Sequence, residues 1–215
     1  MFVDLTPDEL LSTTRSVRKR LDLERGVERS VVEECLRLAF QAPTGTNHQD
    51  WGWIVVEDAS IRHEMAALYR QGLADHAARS VGDESVADQR TEAGQRIGAS
   101  VAYLVEHLHE VPMLLVPTIG PLYGESTSFA AASRWGSILP AVWSFMLALR
   151  SRGLGSAWTT LHLYREHEMA ELLGIPEGQR QAGLFPIAYT IGTEFRPADR
   201  SASEDRIFWD AWGRR

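Results

Sequence analysis

The segment 133–150 constrains the fold most, because a helix over these residues is apolar on nearly every side. Its apolar side chains are Trp135, Ile138, Leu139, Val142, Trp143, Phe145, Met146, Leu147 and Leu149. A helix of this kind must be covered over most of its surface by other parts of the protein. A chain of 215 residues offers limited cover, so we predict that a second subunit packs against part of this helix.

The other segments alternate between helices and short strands, which predicts an α+β fold. Capping-box patterns place helix starts at Thr6 and Ser30, and the first helix is expected to run to about Ser16. Behind Ser30, an apolar face of helical spacing includes Val32 and Cys35. Further helices are expected from residue 61 and over 166–173, and strands over 53–56, 111–118, 155–160 and 184–191.

No linker or internal repeat divides the sequence, so residues 1–215 are expected to form a single domain. Residues 71–125 begin with a charged, weakly patterned stretch, and we expect them to form a lid over the substrate region. Residues 200–215 are expected to form a C-terminal arm. Trp209 and Trp212 stand there in polar surroundings, and exposed aromatic side chains usually mark a docking surface.

Charge and composition exclude several classes of protein. The net charge of −7 argues against a general nucleic-acid binder, which would carry a basic footprint. The longest apolar stretch, 138–149, falls short of the roughly 18 residues that suggest a membrane span. The N-terminus lacks the pattern of a secretory signal, and Cys35, the single cysteine, is expected to be a buried structural thiol. We therefore predict a cytoplasmic protein without a membrane anchor.

Two polar segments offer groups that could bind an anion or a heteroaromatic ligand. Residues 14–20 hold four cations beside Ser16, and arginine binds phosphate well because its fork matches two oxygens. Residues 42–51 place hydroxyl and amide side chains between a helix and a strand, where binding groups often collect. Taken singly, the first is also compatible with a solvated basic turn and the second with an ordinary connection.

Two further segments are weaker signals. Residues 153–161, GLGSAWTTL, lack the third glycine of a dinucleotide fingerprint and lead into strand-type residues. The two threonines could reach a cofactor or simply form part of a sheet. Arg200 could complete an anion site or lie on the surface. His107 and His109 are expected on a solvated helix face, so no metal site is predicted.

In this order along the chain, the four segments resemble the FMN-dependent nitroreductase family, in particular its actinobacterial members and the iodotyrosine deiodinase branch. The resemblance rests on RSVR at 15–18, APTGTNHQDW at 42–51, GLGSAWTTL at 153–161 and the distal Arg200. It spans about residues 10–212. It implies a three-layer α/β/α nitroreductase-like fold, with a central, mostly antiparallel sheet flanked by helices and an intertwined homodimer.

The resemblance also implies an FMN site. Arg15 and Ser16 match positions on the phosphate side, and Arg18 matches a cation near flavin N1. Thr14 stands where the family often has another arginine, so one phosphate contact is missing. Arg200 matches the distal arginine that would share this contact.

Two more matched segments would surround the flavin ring. Pro43, Thr44 and Gly45 match a loop that lies against the ring across the dimer, and Asn47 matches a polar position. Asp50 replaces a proline that many relatives carry. On the other side of the ring, the lining residues of the family are matched by Trp158, Thr159 and Thr160. Thr160 is the candidate for a hydrogen bond near N5.

The implied function is an oxidoreductase that transfers electrons from NADH or NADPH through flavin N5 to a small acceptor, such as a nitroaromatic or a quinone, by a ping-pong mechanism. No protein residue acts as a nucleophile, and Thr160 and Arg18 tune the flavin.

Two other functions stay open. One is a protein that binds or sequesters FMN with little turnover. The other is specialised flavin chemistry, such as reductive dehalogenation or flavin cleavage. No motif names the acceptor or the preferred nicotinamide.

Overall fold

The computed structural model describes residues 2–79, 91–121, 127–198, 200 and 206–215. Within this part, the helices are α1 (Pro7–Thr13), α2 (Arg29–Ala39), α3 (Ala59–Arg79), α4 (Glu92–His107), α5 (Ser128–Ser151) and α6 (Glu166–Leu173). The strands are β1 (Trp51–Val56), β2 (Met113–Ile119), β3 (Leu154–Gly155), β4 (Arg180–Gln181) and β5 (Phe185–Tyr189). Short 3-10 turns cover Gly45–Asn47, Leu108–Glu110 and Leu161–Arg165.

The strands form one antiparallel sheet in the order β1-β2-β5-β3. Strand β2 lies at its centre. On one side it pairs with the whole of β1, from Trp51 opposite Ile119 to Val56 opposite Leu114. On its other side it pairs with both β4 and β5. The predicted mostly antiparallel sheet is confirmed.

Helices cover both faces of the sheet, which gives three layers. Met113 and Leu115 of β2 pack in one apolar cluster with residues of α2 and α5. Leu114 and Val116, which point to the opposite face, pack in a second cluster with residues of α3 and α4. Because β2 is buried on both faces, its sequence is a continuous apolar run rather than an alternating one.

The local signals at the first two helices had different outcomes. Thr6 and Glu9 form the predicted capping box, but α1 ends at Thr13, earlier than the predicted Ser16. The following residues are extended, and Ser16 pairs with Ser156 in a parallel bridge. The predicted cap at Ser30 was wrong, since α2 begins at Arg29 and has no side-chain cap.

Cys35 is the buried structural thiol that the sequence predicted. Its side chain is fully buried in the cluster between α2, α5 and the sheet. Burial raises the pKa of the thiol to about 11, because the thiolate is poorly solvated there. The group is therefore a protonated thiol at neutral pH.

The predicted strand over 155–160 was largely wrong. Only Leu154–Gly155 forms a strand, and Thr159 makes an isolated bridge with Leu184. Between these two contacts the chain turns to other partners. Ser156 pairs with Ser16, and the Trp158 indole donates to the Ala182 carbonyl.

The proposed lid segment 71–125 contains several different elements. It includes the end of α3, all of α4 and the central strand β2, whereas residues 80–90 and 122–126 lie outside the described residues. Because β2 is buried in the middle of the sheet, this part of the segment belongs to the core.

Several large apolar side chains stay exposed on this chain. Phe129 and Trp143 of α5 are among them, and in the C-terminal arm Trp209 is 70% and Trp212 is 92% exposed. The arm tryptophans therefore do not dock on the described part of their own chain. Among the described residues, no helix has the length and apolar character needed to cross a membrane.

Candidate functional site

A cavity of about 530 Å³ lies between α3, α4 and the chain that follows β3. Its lining residues are Arg18, Tyr69, Leu73, His76, Gly94, Ile97, Gly98, Val101, Ala102, Trp158, Thr159, Thr160 and Leu161. Sites for small molecules and cofactors usually measure roughly 300–1,000 Å³. Four of the site residues predicted from the sequence thus meet at one cavity: Arg18 and, far from it in the chain, the consecutive residues Trp158, Thr159 and Thr160.

Arg18 is the cation of this cavity. The chain just before it is held by a hydrogen bond from the Val17 amide to the Ser156 carbonyl, at 2.8 Å. Partial burial lowers the pKa of the Arg18 guanidinium, and the nearby Tyr69 phenol opposes this effect. The group remains charged at neutral pH, because an arginine pKa starts far above neutrality. The cavity therefore contains a half-buried positive charge.

Tyr69 is a cavity residue that sequence reasoning missed. Its ring is buried in α3. However, the phenol also faces the cavity beside Arg18 and Thr159. Burial raises its pKa, while the Thr159 hydroxyl and the Arg18 charge act in the opposite direction. No local signal separates such a residue from an ordinary core tyrosine.

The two threonines differ in exposure. Thr159 is buried, and its backbone amide and carbonyl both pair with Leu184. Thr160 is exposed at the start of the following 3-10 turn and makes no side-chain cap there. Trp158 is fixed by a hydrogen bond from its indole Nε1 to the Ala182 carbonyl at 3.0 Å. This short segment thus presents one anchored ring and two hydroxyl groups at the cavity.

His76 and Tyr164 form a polar pair beside the cavity. The His76 Nδ1 lies 3.1 Å from the Tyr164 hydroxyl, and the His76 ring lines the cavity wall. By contrast, His162 is fully buried. Burial lowers the pKa of His162 to about 4, so this imidazole is neutral and does not serve as a proton donor near pH 7.

The predicted phosphate-side residues Arg15, Ser16 and Arg200 do not line the cavity. Ser16 pairs with Ser156, two residues before Trp158. Arg15 is exposed, and its Nη1 donates to the Arg196 carbonyl at 2.8 Å. Arg200 is exposed.

The predicted loop of Pro43, Thr44, Gly45 and Asn47 does not line the cavity. It packs instead on α5, where the Gly45 amide donates to the Ser137 hydroxyl at 2.9 Å. Asn47 has a positive φ of 58° and is exposed. Within one chain, therefore, the predicted residues that meet at the cavity are Arg18, Trp158, Thr159 and Thr160, and the loop 43–47 lies apart from them.

Solved structures share this architecture. The chain matches a crystal structure of a BluB-like flavoprotein from Clostridium difficile 630 with a TM-score of 0.72 and 14% identity, covering 97% of this chain and 100% of that one. It also matches a nitroreductase with bound FMN from Desulfitobacterium hafniense DCB-2, with a TM-score of 0.65 and 20% identity, covering 94% of this chain and 96% of that one. At these identities the likeness shows the fold.

Relatives are also found by sequence. Human iodotyrosine deiodinase 1 is 24% identical over 188 residues, which cover 84% of this chain and 60% of the deiodinase. The chain thus spans less than two thirds of that relative. A protein of Archaeoglobus fulgidus, provisionally named NADH dehydrogenase/NAD(P)H nitroreductase, is 25% identical over 211 residues, covering 95% of this chain and 97% of its own length. The sequence profile of the nitroreductase family matches residues 11–189, most of the chain, and the protein belongs to that family.

Proposed function

We propose that this protein binds FMN at the cavity and transfers electrons from NADH or NADPH to a small oxidised acceptor. The observation that carries the proposal is the convergence of Arg18, Tyr69, Thr159 and Thr160 on one cavity. The proposal includes a single domain over residues 1–215, a cytoplasmic location, and no nucleic-acid or membrane partner. The net charge of −7 supports the exclusion of nucleic acid.

The residues of the cavity fit a flavin. The hydroxyl oxygen of Thr159, in the cavity lining, is buried without a hydrogen-bond partner of good geometry, and such groups usually need one. A heteroaromatic ring with several carbonyl and nitrogen atoms could satisfy it. Structures of similar fold include the nitroreductase with bound FMN from Desulfitobacterium hafniense DCB-2. Arg15, Ser16 and Arg200 would then serve the phosphate end.

Each cavity residue has a specific part in this proposal. FMN, when bound, accepts electrons from the nicotinamide and delivers them to the acceptor. Arg18 supplies a fixed cation that stabilises the negative charge developing on the ring. Trp158, held at Ala182, limits the position of the ring, and Thr160 offers an exposed hydroxyl as a hydrogen-bond donor. His76, which also lines the cavity, offers a ring nitrogen for a hydrogen bond to the acceptor.

A second candidate function is reductive dehalogenation. It is favoured by the similarity to iodotyrosine deiodinases, one of which has been solved with FMN and 3-iodo-L-tyrosine. Storage of FMN with little turnover is the third function that the test below distinguishes.

The purified protein is expected to contain non-covalent FMN, and NADH or NADPH should bleach the flavin absorbance. Denaturation and chromatography identify the flavin. Anaerobic stopped-flow mixing then tests each nicotinamide, followed by nitroaromatics, quinones and 3-iodotyrosine as acceptors. Recovery of the oxidised spectrum with a quinone or nitroaromatic supports the reductase. Release of iodide supports dehalogenation instead. Bleaching without turnover of any acceptor supports storage, and failure to bind any flavin on reconstitution contradicts the proposal.

We further propose a homodimer in which the loop 43–47 of one subunit meets the cavity of the other. Pro43, Thr46 and Asn47 of the loop are exposed, and the loop is separate from the cavity of its own chain. Residues supplied to a partner would be placed in this way. Apolar surface for the contact between subunits is provided by four exposed side chains, which are Phe129, Trp143, Trp209 and Trp212. Obligate dimers commonly bury more than about 2,000 Å² in total, with a core-like composition.

Deletion of residues 206–215 is therefore expected to weaken the dimer and release FMN together. Analytical ultracentrifugation at low micromolar concentration measures the association, and flavin fluorescence measures the release. The full-length protein is the control. A stable, folded monomer that keeps its FMN would show that the cofactor is not bound between subunits.

A further inference from the structure

His76 is the one imidazole in the described lining of the cavity. Imidazole is the side chain that ordinarily gains or loses its proton between pH 5 and 8. The Trp158 indole hydrogen is already donated to the Ala182 carbonyl, and a threonine hydroxyl does not release a proton near neutral pH. The other lining side chains that carry a polar hydrogen are Arg18, Tyr69, Trp158, Thr159 and Thr160.

The Tyr164 hydroxyl fixes the orientation of the His76 ring. It lies 3.1 Å from Nδ1, and the centroids of the two rings are 5.7 Å apart. The guanidinium carbon of Arg79 lies 5.2 Å from the centroid of the Tyr164 ring and adds a cation–π contact to it. Within the described part of the chain, Nε2 has no hydrogen-bond partner. Because a hydroxyl group can donate to Nδ1 or accept from it, Nε2 can carry a hydrogen in both the neutral and the cationic ring.

His76 lies at the outer end of the cavity. Tyr69 and His76 both line it from α3, and seven residues separate them by about 10 Å along one helix face. The Tyr69 phenol is buried and close to Arg18 and Thr159, whereas His76 is partly exposed. A ligand that enters from solvent and stacks on a ring held at Arg18 would therefore pass His76. Water also reaches the imidazole.

Reduction of the acceptor consumes more protons than electron transfer alone can bring. A quinone takes up two electrons and two protons when it becomes a hydroquinone, and a nitro group does so when it becomes a nitroso group and water. The electron pair and one proton come from the reduced cofactor of the proposed function, so the second proton needs another donor.

We propose that His76 donates this proton from Nε2 to an oxygen atom of the acceptor, and that Tyr164 is its positioning residue. An O–H bond forms on the acceptor as the Nε2–H bond breaks, and the neutral imidazole then regains a proton from water. The inference rests on the proposed function, because it concerns the same acceptor.

Other ionisable groups surround His76. The salt bridge between Arg165 and Asp75, at 2.8 Å, holds two of them. The α4 residues in the described lining of the cavity carry no ionisable side chain. Carboxylates, phenols and guanidinium groups ordinarily ionise outside the range of imidazole, so a rate that titrates in that range points to His76. The surrounding groups are Asp75 and Arg79 on α3, Tyr164 and Arg165 on the 3-10 turn, and Arg18 and Tyr69 across the cavity.

The test compares acceptors that need a proton with one that does not. The FMN-loaded full-length protein is reduced and mixed anaerobically in a stopped-flow instrument with a saturating quinone, with a nitroaromatic, or with ferricyanide, which accepts single electrons and no proton. His76→Gln removes the acid and keeps an amide of similar size, and Tyr164→Phe removes only the anchoring hydroxyl. His63→Gln is the matched control, because His63 lies exposed in the same helix and does not line the cavity.

His76→Gln is expected to slow reoxidation by the quinone about 100-fold, the lower end of what general acid catalysis contributes, because water replaces the donor in part. Tyr164→Phe should slow it about 2- to 10-fold, the worth of one hydrogen bond. Reoxidation by ferricyanide and reduction by the nicotinamide should stay unchanged, and His63→Gln should alter none of these rates. Equal slowing with the quinone and with ferricyanide would mean that His76 only shapes the cavity and would overturn the inference. An unchanged rate with the quinone would overturn it too.

The pH dependence of the unmodified protein tests the same proton without any variant. The rate with the quinone should fall as the pH rises through neutrality, because the acid form of the imidazole is lost, while the rate with ferricyanide stays level. A quinone rate that is level over the same range would contradict the assignment even if His76→Gln does not fold.

A measurement without turnover completes the test. NMR of the full-length protein with nitrogen-labelled histidine follows the protonation of each imidazole, and the two cavity variants identify the His76 signal. This signal should titrate at the pH where the quinone rate falls, and Tyr164→Phe should move both together. Titration at a different pH would overturn the assignment of the proton to His76. Absence of bound flavin would contradict the proposed function and the inference with it, whereas a loaded protein that reduces the quinone equally well without His76 overturns the inference alone.

Discussion

Replacing Arg18 with alanine is expected to lower the reduction potential of bound FMN by about 40–90 mV. The side chain places a half-buried cation in the cavity, where the surrounding protein screens charges less than water does. Loss of a fixed group that stabilises a developing charge costs roughly 2–4 kcal/mol, and about 30 mV corresponds to 1.4 kcal/mol for two electrons. The same change should weaken FMN binding. Spectroelectrochemistry of the loaded variant gives the potential directly.

Two variants serve as controls for this experiment. Arg18→Lys keeps a cation and should retain most of the potential. Lys19→Ala removes a neighbouring exposed cation and should change the potential little, because exposed charges are screened by solvent. An unchanged or raised potential in a fully loaded Arg18→Ala protein would show that Arg18 does not lie against the edge of the ring that gains charge.

Replacing Gly72 with alanine is expected to destabilise the protein by about 3 kcal/mol, at the upper end of the usual cost of overpacking. Gly72 is buried in α3, and a Cβ there would lie 2.0 Å from the Leu161 carbonyl oxygen. The Leu161 oxygen is a backbone atom and the added Cβ is bonded directly to the backbone of α3. The helix and the 3-10 turn would therefore have to move apart. For a chain of this size the melting temperature should fall by roughly 6–12 °C. Thermal unfolding by circular dichroism measures the change.

Gly98→Ala provides the matched control with the opposite expected sign. Gly98 lies in α4, and a Cβ there meets nothing within 4 Å. Alanine should therefore stabilise the helix by roughly 0.5–1 kcal/mol. Gly72→Ala should also weaken flavin binding, because α3 carries Tyr69 and the displaced turn follows Thr159 and Thr160. Equal stability of the two variants would contradict the close approach at Gly72.

The sequence alone determined the elements whose signals are local. The Thr6 capping box needs only Glu9, three residues away, and it forms as predicted. Helix α6 covers 166–173 as expected and ends at Gly174 in the left-handed conformation. The buried face of α2 follows from helical spacing, and the strands β2 and β5 follow from runs of apolar residues that both layers of helices cover. In each case the information lies within a few neighbouring residues.

The resemblance in sequence also identified four residues that the structure brings to one cavity. Arg18 and Trp158 are 140 positions apart, and their meeting depends on the pairing of Ser16 with Ser156. Family motifs carry such long-range information, whereas periodicity and capping patterns do not. The position of the loop 43–47 relative to the cavity depends on a partner subunit in our proposal, so a single chain cannot display it.

Only the tertiary structure decided the features that depend on contacts across the chain. The strand expected over 155–160 shortens to Leu154–Gly155, because Ser156 pairs with Ser16 and the Trp158 indole bonds to the Ala182 carbonyl. Tyr69 belongs to no motif, and only the packing of α3 brings its phenol close to Arg18. His76 and Tyr164 belong to no motif either, and they meet across 88 residues only because the 3-10 turn packs on α3. Local propensity acts over one or two turns, while burial and the electrostatic environment of a side chain are set by residues far away in sequence.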